Sequence, residues 1–302
     1  MPHNTAIAHH VSQLERGRFK AMTTQNNALS PHSHIVELPA GRFHYLAWGE
    51  EYTERPPAVL IHGITSSALS WTRVGPALAD RYRVYALDMR GHGDSIIPPA
   101  SSYSLQATTG DVLAFVNELQ LQRPLLIGHS WGGATALVLA SGTNSVFSQV
   151  VLEDPACYMG RDDPMARALH NTQDIGRPLA EVRQELLADN SEWTEEDVEG
   201  KLDALQKVSR DAVINIYTEV NQAGNLLPLL AQVTVPTLLL RADPKQDYST
   251  LTEEEWLQAR TMLPSHSHAL QIEGASHSIH RNRFSAFMQA VNAFLHEGTE
   301  LV

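Results

Sequence analysis

The residues Gly128-His129-Ser130-Trp131-Gly132 set a serine among small neighbours in Gly-x-Ser-x-Gly spacing. Such a pentapeptide turns a buried strand sharply into a helix and holds the serine hydroxyl out as a nucleophile. The small residues let strand and helix approach closely, and the turn forces the serine into a strained backbone conformation. A serine hydroxyl is a poor nucleophile at neutral pH, so the chemistry needs a base beside it, a carboxylate to orient that base and N–H donors for the developing oxyanion.

The elements around the pentapeptide fit that demand. Pro124 to Ile127 reads as a buried strand running into it, and Ala134 to Ala140 as the following helix, with Gly142 as its stop. From Ile35 onward short apolar runs alternate with helical patterns, which predicts a mostly parallel twisted sheet with helices on both faces. His34–Leu38 and Phe43–Trp48 read as an antiparallel hairpin, and Ala58–Ile61, Tyr82–Asp88, Val150–Leu152, Thr237–Leu240 and His268–Ile272 as further strands. Helices are expected over Ala68–Ala79, Leu105–Leu119, a stretch ending near Met262, and Arg283–Leu295. Between residues 156 and 233 the strand signal gives way to helical patterning, an inserted helical cap dividing a core of 32–155 and 234–302. Thr194 with Asp197 and Thr252 with Glu255 mark two helix starts as capping boxes. Residues 1–31 lack a secretory signal and read as a flexible extension.

Composition narrows the class. Twenty-two Lys and Arg against 34 Asp and Glu give a net charge of −12, which argues against a nucleic-acid partner. No apolar run approaches the length of a membrane span. With a single cysteine, Cys157, the chain forms no internal disulfide and builds no Cys-ligated metal site. A cytoplasmic location is expected. Gly91-x-Gly93 lacks the third glycine of a dinucleotide fingerprint and no phosphate-binding Gly-x-x-x-x-Gly-Lys occurs, so no cofactor is expected. His32-x-His34, His266-x-His268 and His277-x-x-His280 lack a neighbouring carboxylate–histidine cluster, so no metal is expected either.

From about Ile35 to Leu295 the sequence resembles the α/β-hydrolase superfamily. Besides the serine turn, the likeness is carried by His62-Gly63-Ile64-Thr65, similar to the family's oxyanion loop. Asp88-Met89-Arg90-Gly91-His92-Gly93-Asp94-Ser95 resembles a second family segment, and Gly274-Ala275-Ser276-His277 the loop that delivers the base. The resemblance implies Ser130 as nucleophile and His277 as base, with His280 a nearby rival. It implies an acid just after the Thr237–Leu240 strand, where Asp243 lies closest to the strand end. The usual glycine before that acid is absent, so Asp247 and Asp154 remain alternatives. The expected oxyanion donors are the backbone amides of Ile64 and Trp131, whose side chains are also expected to wall the substrate pocket.

The reading that follows is a serine hydrolase, carboxylesterase-like, cleaving an ester or lactone of a small, mainly apolar substrate through an acyl-enzyme. The same triad could serve carbon–carbon hydrolysis, perhydrolysis or aminopeptidase chemistry, and the scaffold could serve as a small-molecule receptor. Serine at position 130 argues against haloalkane dehalogenase or epoxide hydrolase chemistry, since relatives of those kinds carry aspartate there. Oligomeric state is open.

Overall fold

The computed structural model describes residues 30–158, 161, 163–246 and 249–297. Expectations on residues before Ser30, and on Asp247, fall outside them. β1 (His32–Leu38) and β2 (Gly41–Trp48) form the hairpin, in register from His32 opposite Ala47 to Leu38 opposite Gly41. β3 (Pro57–Ile61), β4 (Arg83–Leu87), β5 (Leu125–His129), β6 (Gln149–Glu153), β7 (Thr237–Arg241) and β8 (His268–Gln271) follow. One sheet results, in the order β1-β2-β4-β3-β5-β6-β7-β8, with β3 to β8 mutually parallel and the hairpin antiparallel at one edge.

Parallel strands must be joined by crossovers, and the crossing helices cover both faces. Strand alternation divides the core accordingly. Val59, Ile61 and Leu126 face one layer with Phe115 and Leu137, while Ala58, Leu60, Leu125 and Ile127 face the other with Leu78, Phe287 and Phe294. The first layer is packed by α2 (Leu105–Glu118) and α3 (Trp131–Ala140). The second is packed by α1 (Val74–Ala79) and the C-terminal α10 (Phe284–Glu297).

Two boundaries differ from the sequence reading. The expected helix over 68–79 is a 3-10 turn, Ala68–Trp71, followed by α1. Pro76 cannot donate to a preceding turn and is tolerated only in the first turn of a new helix. At the other boundary, α3 starts at Trp131, directly after the serine.

Between β6 and β7 lie α4 (Pro164–Asn171), α5 (Leu179–Asp189), α6 (Glu195–Lys207) and α7 (Arg210–Val220). The Thr194/Asp197 box opens α6, and the Thr252/Glu255 box opens α8 (Glu253–Met262). From Pro31 onward the chain is one compact unit that includes this helical segment. Among the described residues no helix is long and apolar enough to cross a membrane.

Candidate active site

Ser130 has φ 55° and ψ −114°, a left-handed conformation that L-residues adopt only under constraint. The constraint is local. The Ser130 amide donates to the Glu153 carbonyl at 2.9 Å, and its carbonyl accepts from Ala134 at 2.9 Å and Ala156 at 3.0 Å. A Cβ on Gly128 would collide with the Gly132 carbonyl, and one on Gly132 with the Ile61 carbonyl, so close approach requires glycine at both positions. A cavity of about 620 Å³ opens at the C-terminal ends of the strands, bordered by Ser130, His277 and Ile64 from the sheet side and by α4, α6 and α7. Clefts at that edge are where open α/β sheets bind ligands.

His277 lines this cavity, and its Nδ1 is 2.7 Å from Asp154 Oδ2. The expected acid, Asp243, is not there. Its Oδ1 accepts from the Lys245 amide at 3.0 Å and its Oδ2 from the Gly274 amide at 2.9 Å. Those bonds, Gly274's first, hold its carboxyl below the usual range and shape the loop leading to His277. Asp154 is fully buried at the end of β6, with φ 36°. Besides His277 it accepts from the Ala242 amide at 3.1 Å, Ser249 Oγ at 3.2 Å and the Thr250 amide at 3.0 Å. The rival His280 is paired elsewhere: its Nδ1 is 2.8 and 2.9 Å from the two Glu153 oxygens, and its side chain is 2 % exposed against 24 % for His277. Burial pushes His280 well below its usual range and Glu153 up. A base must reach the substrate, which favours His277. His129, unremarked in the sequence, donates Nε2–H to the His277 carbonyl at 3.0 Å.

The loop after β3 is held from behind. His92 donates Nδ1–H to the Arg90 carbonyl at 3.1 Å and accepts the Thr65 amide on Nε2 at 3.1 Å. Burial, then the nearby His62, push it down to about 3. His62 likewise accepts the Met89 amide at 3.0 Å. Asp88 accepts the Ala68 amide at 2.6 Å and His44 Nδ1 at 2.7 Å. Burial alone would raise its carboxyl, but His44, His62 and the Ala68 amide together hold it low. Thr65 itself has φ 57°, so the residues after Ile64 and before Trp131 are both strained. Neither the Ile64 nor the Trp131 amide makes a turn or loop backbone bond among the described residues.

One expectation about the pocket wall needs correction. Ile64 lines the cavity, but Trp131 is fully buried in the core, its ring 5.4 Å from that of His92. As the first residue of α3 it directs its side chain into the layer under the sheet. The lining also carries charge: Arg167, His170, Lys201 and Arg281 contribute to it beside Trp193 and Tyr217. From the helical segment Trp193 lines the cavity, whereas Leu226 and Leu227 are core. At the hairpin edge, Glu50 comes within 2.7 Å of His32 and 2.8 Å of His34, a carboxylate partner that local spacing did not reveal.

The sequence profile of the Alpha/beta hydrolase family matches residues 58–290. The bifunctional epoxide hydrolase 2 of Sus scrofa is 39% identical over 125 residues, 41% of this chain and 22% of that protein. Epoxide hydrolase 3 of Xenopus tropicalis is 25% identical over 300 residues, 90% of this chain and 80% of its own. The aligned part spans between 18% and 41% of the length of the first curated relatives matched. Among solved structures, the enol-lactonase from Burkholderia xenovorans LB400 superposes with a TM-score of 0.71 at 22% identity, over 87% of this chain and 100% of that one. A profile covering most of the chain, on an eight-stranded sheet with the serine at the turn from β5 into α3, makes this chain a member of the α/β hydrolase family.

Proposed function

We propose that the chain hydrolyses carboxylic esters or lactones through a covalent acyl-serine, with Ser130 as nucleophile, His277 as base and Asp154 as the acid. The observation that carries this reading is the 2.7 Å bond between Asp154 and a His277 that shares the Ser130 cavity. With Asp154 accepting Nδ1–H, Nε2 is the basic nitrogen that takes the serine proton. Ser130 Oγ attacks the acyl carbon as its proton passes to His277, and the carbonyl oxygen gains charge. The Ile64 and Trp131 amides are the donors for that oxygen, worth roughly 3 kcal/mol of barrier each. His277 returns its proton to the leaving alcohol. Water then attacks the acyl-serine, gives a proton to His277, and releases acid and free serine.

The curated relatives named as epoxide hydrolases favour a second reading, epoxide opening. An alkyl-enzyme of that kind needs a carboxylate nucleophile, and position 130 offers a hydroxyl. The experiment compares p-nitrophenyl esters from acetate to decanoate with styrene oxide, using wild type and Ser130→Ala, and looks for a phosphonate adduct by intact mass. Ester turnover reduced by about three or more orders of magnitude in Ser130→Ala, with one adduct on wild type, is expected. Diol formation without ester turnover would sink the proposal.

A further inference from the structure

Arg281, in the short helix α9 (Ile279–Asn282) that follows His277, lines the cavity yet takes no part in the steps above. Its side chain is 4% exposed, and its Nε and Nη2 have no hydrogen-bond partner among the described residues. The nearest ion-pair carboxylate oxygen, Asp197 Oδ1, is 3.9 Å from Nε, beyond hydrogen-bond reach. Asp197 Oδ2 is occupied by Arg73 Nη1 at 3.0 Å and by the Thr194 amide and hydroxyl, both at 2.9 Å. The guanidinium is held over the Trp193 ring, 4.6 Å from its centroid, and Trp193 also borders the cavity. A buried guanidinium edge without acceptors is costly, and folded proteins leave few such groups unsatisfied.

That edge has a recognisable match. Nε and Nη2 are adjacent parallel donors, and Arg90 uses the same two on Asp111, at 2.5 Å to Oδ2 and 2.6 Å to Oδ1. A second cation faces the same cavity. Lys201 Nζ donates to Thr65 O and Oγ1, each at 2.9 Å, and an ammonium has three donors, so one is left. Around these two cations stand Arg73 and Asp197, with Asp174 acting on Lys201, and Glu153 on Arg281 while bonded to His280. Burial and then the charge of Arg281 pull Lys201 down to about 7, with Asp174 pulling the other way.

We propose that the substrate carries a carboxylate group remote from its scissile ester, received by the Nε/Nη2 edge of Arg281 and by Lys201. The inference rests on the ester-hydrolase reading and narrows it to hemiesters of dicarboxylic acids or lactones bearing an acid side chain.

The test compares mono-p-nitrophenyl glutarate with p-nitrophenyl pentanoate, which differ chiefly in the distal carboxylate. Wild type should favour the hemiester by about 10- to 100-fold in kcat/KM, the range for hydrogen bonds to charged groups. Arg281→Met and Lys201→Met should each lower that ratio toward one. The ratio cancels any loss of folded protein, and if Arg281→Met fails to fold, wild type and Lys201→Met still decide. Turnover of pentanoate with no preference for the hemiester overturns the proposal and leaves the hydrolase reading intact. Calorimetric titration of glutarate into Ser130→Ala separates the remaining case. Binding without turnover of any ester keeps the anion site and removes the hydrolase reading, whereas no binding overturns the site.

Discussion

Asp154→Asn is the substitution that separates the proposed acid from its rival. An asparagine there can still accept the Ala242 amide and Ser249 Oγ through its oxygen, but its NH₂ would then face the Thr250 amide and His277 Nδ1, both donors. His277 escapes the conflict by moving its proton to Nε2, the nitrogen that must accept from Ser130. In a serine protease the corresponding change costs about 10⁴ in kcat, and a similar loss is expected here, about 5 kcal/mol of barrier. The unpaired Thr250 amide should cost a further 1 to 3 kcal/mol or so of stability. Asp243→Asn loses one of two backbone acceptors in the loop before His277, and should lower kcat by no more than about tenfold. The assay is kcat on p-nitrophenyl butyrate per active site titrated with phosphonate, with circular dichroism melts to verify folding. Asp243→Asn falling a thousandfold while Asp154→Asn stays within tenfold of wild type would refute the assignment.

Three other outcomes follow from the geometry. His92 titrates near 6.5 when unfolded and near 3 when folded, so between those values the unfolded chain binds the extra proton and stability falls as the solution is acidified. Urea titrations of wild type and His92→Gln should differ in slope by up to about 1.4 kcal/mol per pH unit between pH 4 and 6, and equal slopes would contradict the buried neutral imidazole. Ile64→Ala should shift the preferred acyl length while Trp131→Phe leaves it alone, because only Ile64 borders the cavity. An acyl-length series read as kcat/KM checks this. Cys157 is fully buried and its thiol is pushed up by that burial, so Ellman's reagent should label no thiol in native protein and one after denaturation.

Sequence reading went furthest where chemistry and fold are local. The turn that carries Ser130 was legible because five consecutive residues encode it and flanking apolar runs encode its strand and helix. The loop that carries His277 was legible from its motif. The partner of His277 was not, because it depends on which strand end lies under the base in three dimensions. Asp243 stood nearest its strand, yet its carboxylate is consumed by amides two and 31 residues on in the chain. At the end of β6, Glu153 and Asp154 are adjacent, and the positive φ of Asp154 helps send the two carboxylates to different histidines. Nothing in the dipeptide announces that division. No motif singles out Arg281 or Lys201, which come from α9 and α6 and share a cavity only through the packing of those helices.

The loop after β7 gains a different meaning from these contacts. Ala242, Ser249 and Thr250 surround Asp154 with two amides and a hydroxyl, the inner hydration shell a carboxylate would have in water, rebuilt from main chain and fixed in place. Supplying this oriented solvent to Asp154, the loop holds the carboxylate whose other oxygen lone pairs meet His277. Remodelling residues 242–250 would therefore change the medium around an unaltered pair of side chains.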